Sequence, residues 1–219
     1  MLKCVIFDMD GVIIDSEPLH RKAFYKMFEE LGISVAPTLY ETYTGMATLP
    51  ICKELCEKFE LSKSPETLVA LKRKHFYDLF NNDPNFELIE GVLDLIKHYH
   101  QLGLKLILAS SASMPNIEFI FNRFDLNEYF AAKLSGADLK ASKPHPEIFI
   151  NAAKISGFSN EECMVIEDST NGMKAAQSAG IFCVGYKSAH SKNQDYDQAD
   201  FVIEDFKEIE YPILSTFFL

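Results

Sequence analysis

Two aspartates, Asp8 and Asp10, stand one residue apart at the end of the apolar run 5–7, and Gly11 follows at once. Such a run is typical of a buried parallel strand, and open α/β sheets bind ligands beyond the carboxyl ends of their strands. Two carboxylates on one side of an extended chain repel each other unless a cation lies between them or one is protonated. The pair therefore predicts a site for a hard divalent cation such as Mg²⁺, with a simple polar turn as the alternative.

Polar residues also follow two later apolar runs, and one lysine stands in a proline-flanked loop. They are Ser110 and Ser111 after 104–109, Glu167 and Asp168 after 163–166, and Lys143 before Pro144. Because parallel strands end at one edge of a sheet, we expect these side chains to meet the two aspartates there. Carboxylates for a cation, donors for an oxyanion and an ammonium group are what phosphoryl transfer needs. A carboxylate can be the nucleophile, and Asp10 would be placed to protonate the leaving oxygen.

The elements that would position these residues alternate between strands and helices in the second half of the chain. Predicted strands lie at 104–109, 131–135, 163–166 and 182–185, separated by helical patterns. This alternation predicts an α/β fold with a doubly wound parallel sheet. Only helical patterns occur between the first strand and this half, so we expect an inserted helical cap, acting as a lid, over residues 16–87. The α/β core would then comprise residues 1–15 and 88–219.

Composition excludes several classes of function. The net charge of −11 and the absence of a Lys/Arg run argue against a nucleic-acid surface. No apolar run reaches the roughly 20 residues that span a membrane, and no signal peptide is recognisable. The 5 cysteines form no paired framework, which favours reduced thiols. We therefore expect a cytoplasmic protein that binds neither nucleic acid nor membrane, and nothing in the sequence argues against a monomer.

Four ordered motifs resemble those of the haloacid dehalogenase-like hydrolases, in particular the β-phosphoglucomutase-like branch. They are Asp8-Met9-Asp10-Gly11, Ser110 at a strand end, Ser142-Lys143-Pro144, and Glu167-Asp168-Ser169 with Gly172. The resemblance runs from about residue 2 to residue 187. It implies a Rossmann-like core with a small helical cap, bound Mg²⁺, and an aspartyl-phosphate intermediate formed from a small phosphorylated metabolite.

The same resemblance implies a role for each matching residue. Asp8 would be the nucleophile and a metal ligand, and Asp10 the acid/base, with its backbone carbonyl on the metal. Ser110 and Lys143 would bind the transferring phosphate, while Asp168 would ligate Mg²⁺ with Glu167 in support.

One segment of the expected cap distinguishes a phosphatase from a sugar-phosphate mutase. Residues 44–50 contain no arginine, whereas a true β-phosphoglucomutase has one in this loop to hold the second phosphate of its bisphosphate intermediate. This absence predicts a phosphatase acting on a monophosphate, with a sugar phosphate as the expected substrate. The alternative is a sugar-phosphate mutase, because His20 matches the mutase pattern and the basic run 72–74 could replace the arginine. A plain solvated helix face is the other interpretation of that run.

Four residues are candidates for substrate binding: His20, Gly45, Lys74 and Ser111. Two further alternatives concern the whole chain. A non-catalytic binding module would have no need of both Asp8 and Asp10. A dehalogenase would carry out a displacement at carbon and would need no metal site. The pair Glu167-Asp168 therefore disfavours a dehalogenase.

Overall fold

A computed structural model describes residues 1–43, 46, 48–83, 86–137, 139–188, 193–214 and 217–218. Within these residues, no helix is both long enough and apolar enough to cross a membrane.

Six parallel strands form one sheet. They are β1 Cys4–Phe7, β2 Lys105–Ser110, β3 Phe130–Ser135, β4 Cys163–Glu167, β5 Phe182–Tyr186 and β6 Phe201–Ile203. Their spatial order is β3-β2-β1-β4-β5-β6, so the chain adds β2 and β3 on one side of β1 and then crosses back to add β4, β5 and β6 on the other side. This topology, with its flanking helices, confirms the predicted Rossmann-like, doubly wound α/β fold.

The part of the chain that the structure describes contains nine α-helices. They are α1 Glu17–Leu31, α2 Pro37–Glu41, α3 Thr48–Lys58, α4 Pro65–Asn82, α5 Val92–Gln101, α6 Met114–Arg123, α7 Glu147–Ser156, α8 Thr170–Ala179 and α9 Tyr211–Leu214. Short 3₁₀ turns lie at Asn160–Glu162 and Phe206–Ile209.

The central strands are buried because helices cover them. Every residue of β1 and of β4 is buried, as expected for strands that read as continuous apolar runs. One apolar cluster joins Ile6 and Val165 to Phe149 of α7 and Met173 of α8. Burial therefore fixes these two strands beside each other, and their carboxyl ends carry the candidate site.

The chain divides into two compact units. The core unit comprises Met1–Asp15 and Glu87–Leu219, and the helical unit comprises Ser16–Phe86. Glu87 thus lies with the core, one residue before the expected boundary. Within the core unit the two connecting segments pair: Ile14 forms a bridge with Leu88, and the Ile89 N–H donates to the Ile13 carbonyl at 2.9 Å.

The helical unit has its own apolar core. Side chains from α1, α3 and α4 meet there, including Met27, Cys52, Leu55 and Leu68, all fully or almost fully buried. Pro65 stands in the first turn of α4, and the Ser64 hydroxyl accepts a hydrogen bond from the Thr67 N–H, which satisfies one unpaired donor of the helix end.

The last strand, β6, is an element that the sequence pattern did not predict. It has only three residues, and it pairs with β5 in parallel from Val184↔Phe201 to Tyr186↔Ile203. Near the end of the chain, Leu214 is fully buried. All 5 cysteines are free thiols.

Candidate active site

Asp8 is held at the carboxyl edge of the sheet by the strand next to its own. Phe7 pairs with Ile166 in the register of β1 and β4, and the Asp8 N–H continues that ladder by donating to the Ile166 carbonyl at 3.0 Å. The Asp8 residue is only 6% exposed. Its carboxylate therefore lies in a low-dielectric environment in which a charge needs a partner.

Lys143 supplies that partner from the loop before α7. Its Nζ donates to Asp8 Oδ1 at 2.5 Å, to Glu167 Oε1 at 2.7 Å and to the Ala109 carbonyl at 3.1 Å. An ammonium group has three N–H donors, so three acceptors engage all of them. The charge also lies 4.8 Å from the centre of the Phe149 ring. The lysine is thus fixed at the point where β1, β2 and β4 end.

Charge and burial oppose each other at this point. Burial raises the pKa of Asp8 well above its usual value, the ammonium of Lys143 lowers it, and the carboxylates of Glu167, Asp168 and Asp10 raise it further. Burial alone would lower the pKa of Lys143, but its two carboxylate partners raise it. Lys143 therefore remains a cation, and the carboxylates around it outnumber it.

Glu167 is anchored by Ser169 and enclosed by Gly172. The amide and the hydroxyl of Ser169 donate to Glu167 Oε2 at 2.8 and 2.9 Å. A Cβ atom at position 172 would lie 1.9 Å from the Glu167 carboxyl carbon. Only glycine leaves room for the carboxylate against the first turn of α8.

Asp168 approaches the loop that carries the first two aspartates. A Cβ atom added to Gly11 would lie 2.1 Å from Asp168 Oδ2, and Gly11 has φ +86°, a conformation that side-chain-bearing residues rarely adopt. The Gly11 N–H donates to the Ile14 carbonyl at 2.7 Å and so closes the turn after Asp10. Asp168 therefore lies against the turn that follows Asp8 and Asp10, at the edge of the sheet where the sequence predicts a shared site.

Ser110 is the last residue of β2 and only 1% exposed. Its hydroxyl accepts a hydrogen bond from the Ala112 N–H at 3.1 Å, and its carbonyl accepts one from the Gly136 N–H at 2.7 Å. A hydroxyl that accepts one hydrogen bond can still donate another. Ser110 is thus placed to donate to an oxyanion, while the neighbouring Ser111 is exposed.

The carboxylates at this edge of the sheet include some of the oxygen donors that we expected for a divalent cation. In the described part of the chain, no three His, Cys, Asp or Glu side chains are grouped as a ready metal site. Glu167, which we expected to support the metal ligands, accepts hydrogen bonds from Lys143 at Oε1 and from Ser169 at Oε2. Asp8 and Asp168 remain as hard oxygen donors beside Asp10, and the surplus of carboxylate over ammonium is what a cation would offset.

The basic run 72–74 divides between the interior and the surface of the helical unit. Lys72 is 3% exposed, which contradicts the interpretation of the whole run as a solvated face, whereas Arg73 and Lys74 are exposed. The Lys72 Nζ lies 2.6 Å from His20 Nδ1, and the His20 ring stacks on Phe76 at 4.4 Å. Burial, aided by Lys72, lowers the pKa of His20 to about 3. Gly45 lies outside the described residues.

Sequence reasoning gave no role to Ser169 or Gly172, although both stood in the matching motif. The signal for Lys72 was its helical spacing: Leu68 and Phe76, four residues away on either side, are both buried and lie on the same face of α4.

The sequence is similar to a family profile and to known proteins. A family profile described as haloacid dehalogenase-like hydrolase matches residues 5–186. A phosphorylated carbohydrates phosphatase of Thermotoga maritima is 32% identical over 196 residues, covering 88% of each chain.

Two solved structures share the fold over nearly the whole chain. The crystal structure of CbbY from Rhodobacter sphaeroides with phosphate has a TM-score of 0.77 at 27% identity, covering 95% of this chain and 96% of that one. A putative β-phosphoglucomutase from Thermotoga maritima has a TM-score of 0.80 at 28% identity, with 99% and 98% covered.

Proposed function

The chain belongs to the haloacid dehalogenase-like hydrolases, and from this membership we propose that it is a Mg²⁺-dependent phosphatase of small phosphorylated metabolites, in particular sugar phosphates. The observation that carries the proposal is the position of Lys143, which donates to both Asp8 and Glu167 at the edge where Asp168 approaches Gly11. A buried carboxylate held beside a fixed cation is the arrangement that an in-line attack on a phosphate ester requires.

In the proposed reaction, a carboxylate oxygen of Asp8 attacks phosphorus, and the bond between phosphorus and the ester oxygen breaks. Asp10 donates a proton to the departing oxygen, so the alcohol leaves neutral and an aspartyl phosphate remains. Asp10 then accepts a proton from water, whose oxygen attacks phosphorus and releases phosphate and the Asp8 carboxylate. Lys143 and Ser110 hold the phosphate oxygens throughout.

Asp8, Asp168 and the backbone carbonyl of Asp10 would hold the Mg²⁺ ion. When bound, the ion supplies positive charge to the phosphate oxygens that the single ammonium of Lys143 does not neutralise. Glu167 would hold Lys143 through the hydrogen bond that its Oε1 accepts, and its own carboxylate is held by Ser169.

A sugar-phosphate mutase is the second candidate. His20 and the similarity to the putative β-phosphoglucomutase from Thermotoga maritima favour it. The absence of arginine from residues 44–50 favours the phosphatase, because a mutase must grip both ends of a bisphosphate.

One set of assays separates these functions. Phosphate release is measured from a panel of sugar monophosphates with Mg²⁺ and with a chelator, and conversion of β-glucose 1-phosphate to glucose 6-phosphate is followed in parallel. We expect Mg²⁺-dependent release of phosphate that exceeds isomerisation. Isomerisation without release would establish the mutase, and inactivity in both arms would overturn the enzymatic assignment.

A further inference from the structure

Ser169, the N-cap residue of α8, contacts the candidate site through its side chain. Its hydroxyl takes part in two hydrogen bonds: it donates to Glu167 Oε2 at 2.9 Å and accepts from the Gly172 N–H at 3.0 Å. The same residue therefore caps a helix and ties down a carboxylate that is 1% exposed. The hydrogen bond to Glu167 is not needed for capping, and Ser64 caps α4 without a carboxylate partner among its described hydrogen bonds.

We propose that Ser169 is a positioning residue for phosphate binding, because it fixes Glu167 in the orientation that holds Lys143 beside Asp8. This inference rests on the proposed phosphatase function. It gives Glu167 and Ser169 a role in placing the lysine that binds phosphate.

The lysine needs such an anchor. Lysine has a flexible four-carbon side chain and binds phosphate as a point charge, so its position must come from its surroundings. Of its three acceptors, the Ala109 carbonyl belongs to the backbone of β2, and Asp8 is the residue that must move toward phosphorus during the reaction. Glu167 is the remaining acceptor, and it can hold the ammonium in place only if its own carboxylate cannot rotate.

Three contacts prevent that rotation. The Ser169 amide and hydroxyl both donate to Oε2, and the backbone at Gly172 closes the space on the other side. Removing the hydroxyl leaves the amide as the one donor from Ser169 to Oε2, so the carboxylate is held less firmly against rotation. We therefore expect looser placement of Lys143 and weaker phosphate binding, with little effect on the metal.

The test separates phosphate affinity from metal affinity. The dissociation constant of inorganic phosphate is measured by calorimetry at saturating Mg²⁺, and that of Mg²⁺ is measured without phosphate. Ser169→Ala and Ser169→Gly both remove the hydroxyl, but glycine keeps most of the capping preference and alanine does not. Ser169→Thr restores the hydroxyl, and Ser64→Ala removes a comparable helix cap in the helical unit.

We expect Ser169→Ala and Ser169→Gly to raise the dissociation constant of phosphate about 3- to 10-fold, the effect of one lost hydrogen bond to a buried charge network. The Mg²⁺ constant should change less than about 2-fold, and Ser169→Thr and Ser64→Ala should match the wild type in both constants. A rise in the Mg²⁺ constant alone, unchanged phosphate binding in both hydroxyl-free variants, or an equal loss in Ser64→Ala would each overturn the proposal. Failure of the wild type itself to bind phosphate would instead count against the proposed function.

Discussion

Lys143 donates a 2.5 Å hydrogen bond to Asp8, a residue 135 positions earlier in the chain. Both side chains are almost fully buried, at 6% and 8% exposure. The pair therefore depends on the fold as a whole, which brings the end of β1 and the loop before α7 to one edge of the sheet. Four predictions concern this site and the contact between His20 and Lys72 in the helical unit.

Asp8→Asn should abolish phosphate release. An amide oxygen is a poor nucleophile toward phosphorus, so turnover should fall by roughly 10³-fold or more. The fold should persist, because asparagine has nearly the same volume and can still accept a hydrogen bond from Lys143. Phosphate release and the circular dichroism spectrum check the two halves of this prediction. Retention of more than a few per cent of the activity would exclude Asp8 as the nucleophile.

Lys143→Ala should destabilise the protein by about 3 kcal/mol or more, because it leaves the buried carboxylates of Asp8 and Glu167 without their cation. The free energy of unfolding in urea measures the effect. Lys187→Ala is the matched control, since it breaks an ion pair of similar length, 2.8 Å, whose two side chains are 56% and 72% exposed. That control should cost less than about 1 kcal/mol. If both variants lost the same free energy of unfolding, burial would not be the reason why the ion pairs of Lys143 stabilise the protein.

Gly172→Ala should lower both stability and activity. In an ordinary helix position the change from glycine to alanine stabilises by about 1 kcal/mol. Here the new Cβ atom would lie 1.9 Å from the Glu167 carboxyl carbon, so the carboxylate must shift, at a cost of about 1–3 kcal/mol. Urea unfolding and phosphate release measure the two effects.

The exposed neighbour Asn171 provides the control on the same helix. Asn171→Ala should leave activity unchanged. If Gly172→Ala were more stable than the wild type, there would be more space beside the Glu167 carboxylate than the structure shows.

The sequence was sufficient to predict the sheet and the meeting of the strand ends. Continuous apolar runs such as Val5–Phe7 can be buried on both faces only between helices, and parallel strands then bring Asp8 and Asp168 to one edge. The three-residue strand β6 was not predictable in this way, because its run is too short to show a period.

Side-chain partners were harder to predict than positions. Nothing in the sequence indicated that Glu167 accepts a hydrogen bond from Lys143, because that contact depends on the rotamer that Ser169 and Gly172 impose. The burial of Lys72 was not predicted, because its neighbours Arg73 and Lys74 made the whole run look like an exposed basic surface. A helix turns about 100° per residue, however, and so points the three side chains in different directions.

The contact between the partly buried His20 and the buried Lys72 should make stability depend on pH. Burial lowers the pKa of His20 to about 3 in the folded protein, whereas an unfolded histidine titrates near 6.5, about the reference value. Between these values the unfolded chain binds one more proton than the folded chain, so the free energy of unfolding falls as the pH falls from about 6.5 towards 3. The slope from this residue is at most about 1.4 kcal/mol per pH unit.

His20→Asn should remove this part of the pH dependence. The asparagine oxygen can replace Nδ1 as the acceptor for Lys72, and it does not titrate. Urea unfolding at pH 7.5 and at pH 5 measures the slope as roughly the difference of two free energies. His100→Asn, which changes an exposed histidine, should keep the wild-type slope. Equal slopes in the wild type and His20→Asn would mean that the His20 ring takes up a proton in the folded state, and the ring would then have to turn away from the Lys72 ammonium.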